Sequence, residues 1–166
     1  YESIRLPFNN ESHFFQEKDY ILESEFRIGE RWETETVVFD FPMFGAKELN
    51  SISCDGQHIE IGHSNVLKIH FIGYAIWGNQ METVKIEYLE FSEEKELAIT
   101  DWCYEPRFGE NVIWEGDFAQ IHGTEIYKGK IFDAVIPVQG KWIKQIILPK
   151  CSRIVLFAIV LEIEEK

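Results

Sequence analysis

Apolar residues recur at every second position in several stretches of this chain, and that spacing restricts it to a fold built from strands. In residues 35–41, Val37, Phe39 and Phe41 share one face while Thr36 and Asp40 take the other. Leu67, Ile69 and Phe71 alternate with Lys68 and His70, and Val84, Ile86 and Tyr88 alternate with Thr83, Lys85 and Glu87. A period of two puts successive side chains on opposite faces of a pleated strand, so each segment is expected to bury one face and expose the other. Residues 143–148 form a short β-branched run. From Ile154 to Ile163 both faces are apolar, the pattern of a central strand covered on both sides.

Turn chemistry separates these runs. Cys54-Asp55-Gly56-Gln57 predicts a tight turn, because glycine tolerates the positive φ that such turns need. Residues 91–94 are expected to close a hairpin, and Val138-Gln139-Gly140-Lys141 to join two late strands. Pro42, Pro106, Pro137 and Pro149 fall at strand ends or in loops, where a missing N–H empties no ladder position. Helical spacing is confined to Phe14, Phe15, Lys18, Ile21 and Leu22, about three turns at most. Residues 104 to about 123 read as one long irregular loop, and a loop of that length carrying Trp114, Phe118 and His122 points to function. The pattern as a whole predicts a single all-β domain over residues 1–166, a two-sheet antiparallel sandwich of the jelly-roll kind.

Composition removes several classes of function. With 16 Lys and Arg against 29 Asp and Glu, the formal charge is −13. Phosphate backbones and anionic membrane surfaces are repelled by such a surface, so neither nucleic acid nor membrane is expected as a partner. The longest apolar run, Ile154 to Leu161, is too short to span a bilayer. Arg5, Asn9 and Asn10 interrupt any signal-peptide core, although a segment upstream of Tyr1 is left open. Cys54, Cys103 and Cys151 are too few for a disulfide framework and lack metal-ligand spacing. They read as small buried hydrophobes, with one disulfide and a leftover thiol as the alternative, and free thiols suit a reducing compartment such as the cytoplasm.

Several stretches, taken in order, carry a resemblance. They are Leu6-Pro7-Phe8-Asn9-Asn10, residues 50–59 around Cys54-Asp55-Gly56-Gln57, residues 67–73, Ala75-Ile76-Trp77-Gly78-Asn79, Thr100-Asp101-Trp102-Cys103, residues 141–149 and residues 153–159. From Leu6 to Ile163 the chain resembles the galactose-binding-like β-sandwich modules that accompany bacterial glycoside hydrolases such as fucosidases and mannosidases. The resemblance implies a jelly roll whose loops at one end meet carbohydrate, with catalysis left to a separate domain. Two departures stand out: Gln16-Glu17-Lys18-Asp19 and Glu90-Phe91-Ser92-Glu93 occupy places where the family has glycine-rich turns.

Sugar sites combine an aromatic platform for the C–H face of a pyranose with planar polar groups that fork onto adjacent hydroxyls. Trp77-Gly78-Asn79 offers both in one loop, against the alternative that Trp77 caps the core. Asp101 beside Trp102 could bind a hydroxyl pair or fix a turn. Arg107, Trp114 and His122 in the long loop make a plausible rim. The expected ligand-binding set is therefore Trp77, Asn79, Asp101, Arg107, Trp114 and His122, while Trp32 and Trp142 are expected in packing. Catalytic constellations are absent from the sequence: it has no Gly-x-Ser-x-Gly elbow, no Walker loop, no dinucleotide fingerprint and no His-x-x-x-His. Among its many carboxylates no glycosidase pair stands out, and Glu93-Glu94 is assigned to a turn. No cofactor is expected, with a structural calcium ion as a minor alternative. The expectation is a non-catalytic carbohydrate-binding module; the alternatives are an assembly domain, joined to a glycoside hydrolase or to its own copies, and lastly a glycosidase.

Overall fold

The computed structural model describes residues 1–9, 19–21, 30–41, 49–120 and 126–165, with backbone alone at 19–21, 117–120 and 126–127. The described strands are β1 (Glu2–Ile4), β2 (Asp19–Ile21), β3 (Arg31–Glu33), β4 (Val38–Asp40), β5 (Ile52–Ser53), β6 (His58–His63), β7 (Val66–Ala75), β8 (Gln80–Tyr88), β9 (Ser92–Ile99), β10 (Asn111–Gln120), β11 (Ile126–Pro137), β12 (Ile143–Ile147) and β13 (Ile154–Ile163). They form a seven-stranded sheet in the order β1-β13-β7-β11-β10-β2, with β5 also on β13, and a four-stranded sheet β6-β12-β8-β9. β3 and β4 make a separate hairpin. The strand pairs are antiparallel, as expected of a two-sheet sandwich.

The alternating faces found in the sequence meet between the sheets. Ile69, Phe71 and Ile159 of one sheet and Val84, Ile86, Leu97 and Ile146 of the other share a single core. Removing such surface from water is worth about 25 cal/mol per Å², which makes this layer the main stabilising term. The seven-stranded sheet is covered on its outer face as well. Trp32 and Phe41 of the β3–β4 hairpin stack at 5.2 Å, Phe41 meets Phe157 at 5.3 Å, and Phe157 meets Tyr74 at 5.6 Å. This second aromatic layer is why β13 is apolar on both faces.

The outer layer also corrects the reading of β7. Lys68 and His70 were expected on a polar, solvated face, but His70 is only 2% exposed. Its Nδ1 lies 3.0 Å from the buried carboxylate of Asp133 on β11, and its Nε2 lies 3.3 Å from Glu162 Oε2 on β13. Thr36, between β3 and β4, donates its hydroxyl to Asp133 Oδ2 at 2.9 Å, so the hairpin is tied to the sheet at this point. The two acids flank the imidazole on opposite edges and do not converge on a common point. Among the described residues no group of three or more His, Cys, Asp or Glu is arranged to hold a metal ion.

Three further expectations change. The hairpin turn lies at residues 89–91, before the expected 91–94, and Glu93 and Glu94 belong to β9. Tyr88 and Phe91 stack at 4.4 Å, and the Tyr88 N–H donates to the Phe91 carbonyl at 2.9 Å, so the chain reverses early. The long loop is short: residues 104–110 are irregular, but 111–120 form β10. A bulge between Val112 and Trp114 breaks the alternation by which a strand is recognised in sequence. Of the helical spacing, Phe14, Phe15, Lys18 and Leu22 lie outside the described residues, while Ile21 sits in β2 opposite Phe118. The expected turn at Cys54-Asp55-Gly56-Gln57 is present between β5 and β6, with Gly56 at φ 73°. All three cysteines are free, Cys54 buried and the other two partly so.

Candidate functional site

Where β7 leaves its sheet and β8 enters the other, the chain makes a sharp loop over residues 76–79. Trp77 and Gly78 both take positive φ, 58° and 100°. Glycine does so freely, whereas for a bulky L-residue the left-handed region costs about 1–2 kcal/mol. The strained conformation turns Trp77 outward, and it is 82% exposed. The alternative in which Trp77 caps the core does not hold.

A carboxylate holds this loop from below. Asp101 is 5% exposed, and its Oδ2 accepts the Gly78 N–H at 2.6 Å. Its Oδ1 accepts the Cys103 N–H at 3.3 Å and the Cys103 thiol at 3.1 Å. The Asp101 N–H in turn donates to Asn79 Oδ1 at 2.9 Å. Backbone bonds lace the two segments together: Ala75 N–H to the Thr100 carbonyl and Trp102 N–H to the Ala75 carbonyl, both at 3.0 Å. Burial and the bond to Asp101 push the Cys103 thiol up to about 11, so at neutral pH it is a hydrogen-bond donor rather than a thiolate.

Beside the loop lies an open cleft of about 370 Å³ lined by Asn79, Tyr104, Glu105 and Arg107. Arg107 and Tyr104 are exposed, and the Arg107 backbone N–H is fixed by the Thr100 hydroxyl at 2.9 Å. Glu110 anchors the far end of the 104–110 segment: its Oε2 accepts the Phe108 N–H at 2.8 Å, and its Oε1 accepts the Thr100 N–H at 2.8 Å and the Thr100 hydroxyl. Glu105, exposed at the cleft, pairs with the Nζ of the buried Lys130 at 3.3 Å.

The structure thus brings four of the six expected residues to one end of the sandwich. Trp77 and Asn79 share the loop, Arg107 lines the adjoining cleft with Asn79, and Asp101 is the buttress beneath, with both oxygens engaged internally. Trp114, on β10, does not line that cleft. It is partly buried against the core, and its indole covers Gly116, where a Cβ would lie 2.2 Å from the ring. His122 lies outside the described residues. Trp32 is in the core as expected, whereas Trp142 is 44% exposed. Sequence reasoning missed Tyr104 and Glu105, although both fall in the stretch it marked as informative; nothing in the sequence singled out Glu110 or Lys130.

Comparison with known proteins bears on the fold. No curated protein matches this chain. Residues 2–165 match the family described as the AziU2-like beta-sandwich domain, in keeping with the two-sheet architecture above. Since the match spans nearly the whole chain, the protein belongs to the family of AziU2-like beta-sandwich domains.

Proposed function

We propose that this domain is a non-catalytic recognition module that binds a carbohydrate at the 76–79 loop, with Trp77 as the stacking platform. The observation that carries the reading is Trp77 itself, 82% exposed at positive φ and braced from below by Asp101. A bulky apolar side chain held against both backbone preference and hydrophobic burial is a common mark of a binding surface. Asn79, Tyr104, Glu105 and Arg107 in the adjoining cleft supply the donors and acceptors that sugar hydroxyls require. The resemblance to galactose-binding-like modules of bacterial glycoside hydrolases supports the same assignment and suggests a hydrolase domain as companion. In this reading the domain contributes binding alone and needs no cofactor.

Glycan-array screening followed by calorimetric titration tests the proposal. Saturable binding of a mono- or oligosaccharide that is lost in Trp77→Ala supports it, and silence across a broad panel overturns it.

A second reading, self-assembly, is favoured by one observation. Leu89 and Trp142 are 69% and 44% exposed at the end of the four-stranded sheet, beside Phe91, whose ring carries Lys141 Nζ at 4.8 Å. A defined oligomer in light scattering that dissociates in Trp142→Ala would favour this reading.

A further inference from the structure

We propose that the free edge of β9 binds an extended basic segment of a partner protein as an added strand, seated in the groove between β9 and β11. Among the described residues β9 is the last strand of its sheet and pairs with β8 alone. The hairpin closes with the Tyr88–Phe91 bond, and the register then sets Glu93 opposite Ile86, Lys95 opposite Val84, Leu97 opposite Glu82 and Ile99 opposite Gln80 without a shift. Bonded pairs alternate in an antiparallel ladder, so Glu93, Lys95, Leu97 and Ile99 direct their backbone groups to β8. Glu94, Glu96 and Ala98 direct theirs away from it. Among the described residues no hydrogen bond reaches those outward groups.

The open stretch has defined ends. Thr100 is next in the outward series, and its N–H is taken by Glu110 Oε1 at 2.8 Å, a carboxylate standing where a neighbouring strand would place a carbonyl. At the other end is the 89–91 turn. On the facing side, β10 stops pairing with β11 at Asn111–Asp133, so Ala134 to Ile136 lie beyond its reach. A groove of about 270 Å³ separates the two edges, lined on its inner side by Leu97, Ala134 and Ile136.

Charge selects the occupant. Glu94 and Glu96 are exposed on the edge, Glu110 closes the groove, and the chain as a whole carries −13. A second copy of β9 laid alongside would set glutamate against glutamate, and like charges placed opposite each other are destabilising. A segment with Lys or Arg at alternate positions would instead neutralise Glu94 and Glu96. Its intervening side chains would face the groove, whose exposed apolar lining is Phe108 and Val135, so the ligand has alternating basic and apolar residues.

The test is a titration of the full chain with a capped heptapeptide of alternating lysine and valine, followed by amide NMR and hydrogen exchange. The expected result is saturable binding in which the amides of Glu94, Glu96 and Ala98 shift and gain protection. Charge reversal in the double variant Glu94→Lys, Glu96→Lys is expected to weaken binding by about tenfold or more, with an unchanged melting curve because both positions are exposed. A peptide N-methylated at alternate residues keeps its charge but loses edge donors, and is expected to bind about tenfold or more weakly as well. Equal binding of the N-methylated peptide would reduce the effect to non-specific electrostatics and overturn the proposal. So would shifts mapping away from β9, or no shift at about 1 mM peptide.

Discussion

His70 Nδ1 lies 3.0 Å from the carboxylate of Asp133, both side chains being almost wholly buried on the outer face of the seven-stranded sheet. Asp133 also accepts the Thr36 hydroxyl, so a single carboxylate joins β7, β11 and the hairpin. Replacing it with alanine leaves a buried imidazole nitrogen and a hydroxyl without their acceptor. Asp133→Ala is therefore expected to cost about 2–4 kcal/mol in urea denaturation. A loss under about 1 kcal/mol would show that the hairpin is held by its aromatic contacts alone.

Glu162 extends this network toward solvent and gives it a pH dependence. Partial burial raises its carboxyl, but the bonds from Lys68 and His70 outweigh that effect and hold it below its ordinary value of 4.5. A carboxyl lowered by folding stabilises above its unfolded value, and the contribution is lost as pH falls through the lowered one. Glu162→Gln is expected to be less stable than the parent chain at neutral pH, with the gap closing below pH 4.5. Urea midpoints measured across that range check the sign, and a gap that widens on acidification would contradict it.

Trp77→Ala should leave the fold nearly unaffected, since a side chain 82% exposed contributes little to the core. A change within about 0.5 kcal/mol is expected in a denaturant melt, alongside loss of carbohydrate binding. Trp77→Gly removes the positive-φ strain as well and is expected to match or exceed the stability of the alanine variant. A loss of about 3 kcal/mol in either variant would place the indole in the core and remove it from the site.

The Asp101 buttress is open to a chemical test through Cys103. Burial and then the bond to Asp101 raise the thiol to about 11, which suppresses its thiolate. Asp101→Asn removes the negative charge, so the thiol should fall toward its ordinary value of 9.0. Faster alkylation of Cys103 by iodoacetamide at about pH 8 is expected, since the thiolate is the reactive form. An unchanged rate in a folded variant would show that burial alone controls the thiol.

Sequence by itself determined the fold class. Period-two alternation in residues 35–41 and 83–89 and the two-faced run from Ile154 to Ile163 are local consequences of how a pleated strand directs its side chains, and they were legible without coordinates. So was the 76–79 loop, because Trp-Gly-Asn between two strand patterns is a local signal. What tertiary structure decided was everything set by a neighbour distant along the chain. His70 looks like a solvated residue until the Tyr1 ring meets it edge-on at 5.7 Å and Asp133, 63 residues on, bonds it. β10 reads as loop because its bulge at residues 112–114 is stabilised by pairing with β11, a partner the local pattern does not contain. Asp101 reads as a possible sugar ligand, and only the return of the chain beneath the 76–79 loop brings it to the Gly78 amide. Glu110 carried no signal at all, since its role depends on where Thr100 lies in space. Local backbone preference acts within a few residues and leaves its mark on sequence spacing, whereas a buried polar group is specified by whichever partner the topology delivers to it.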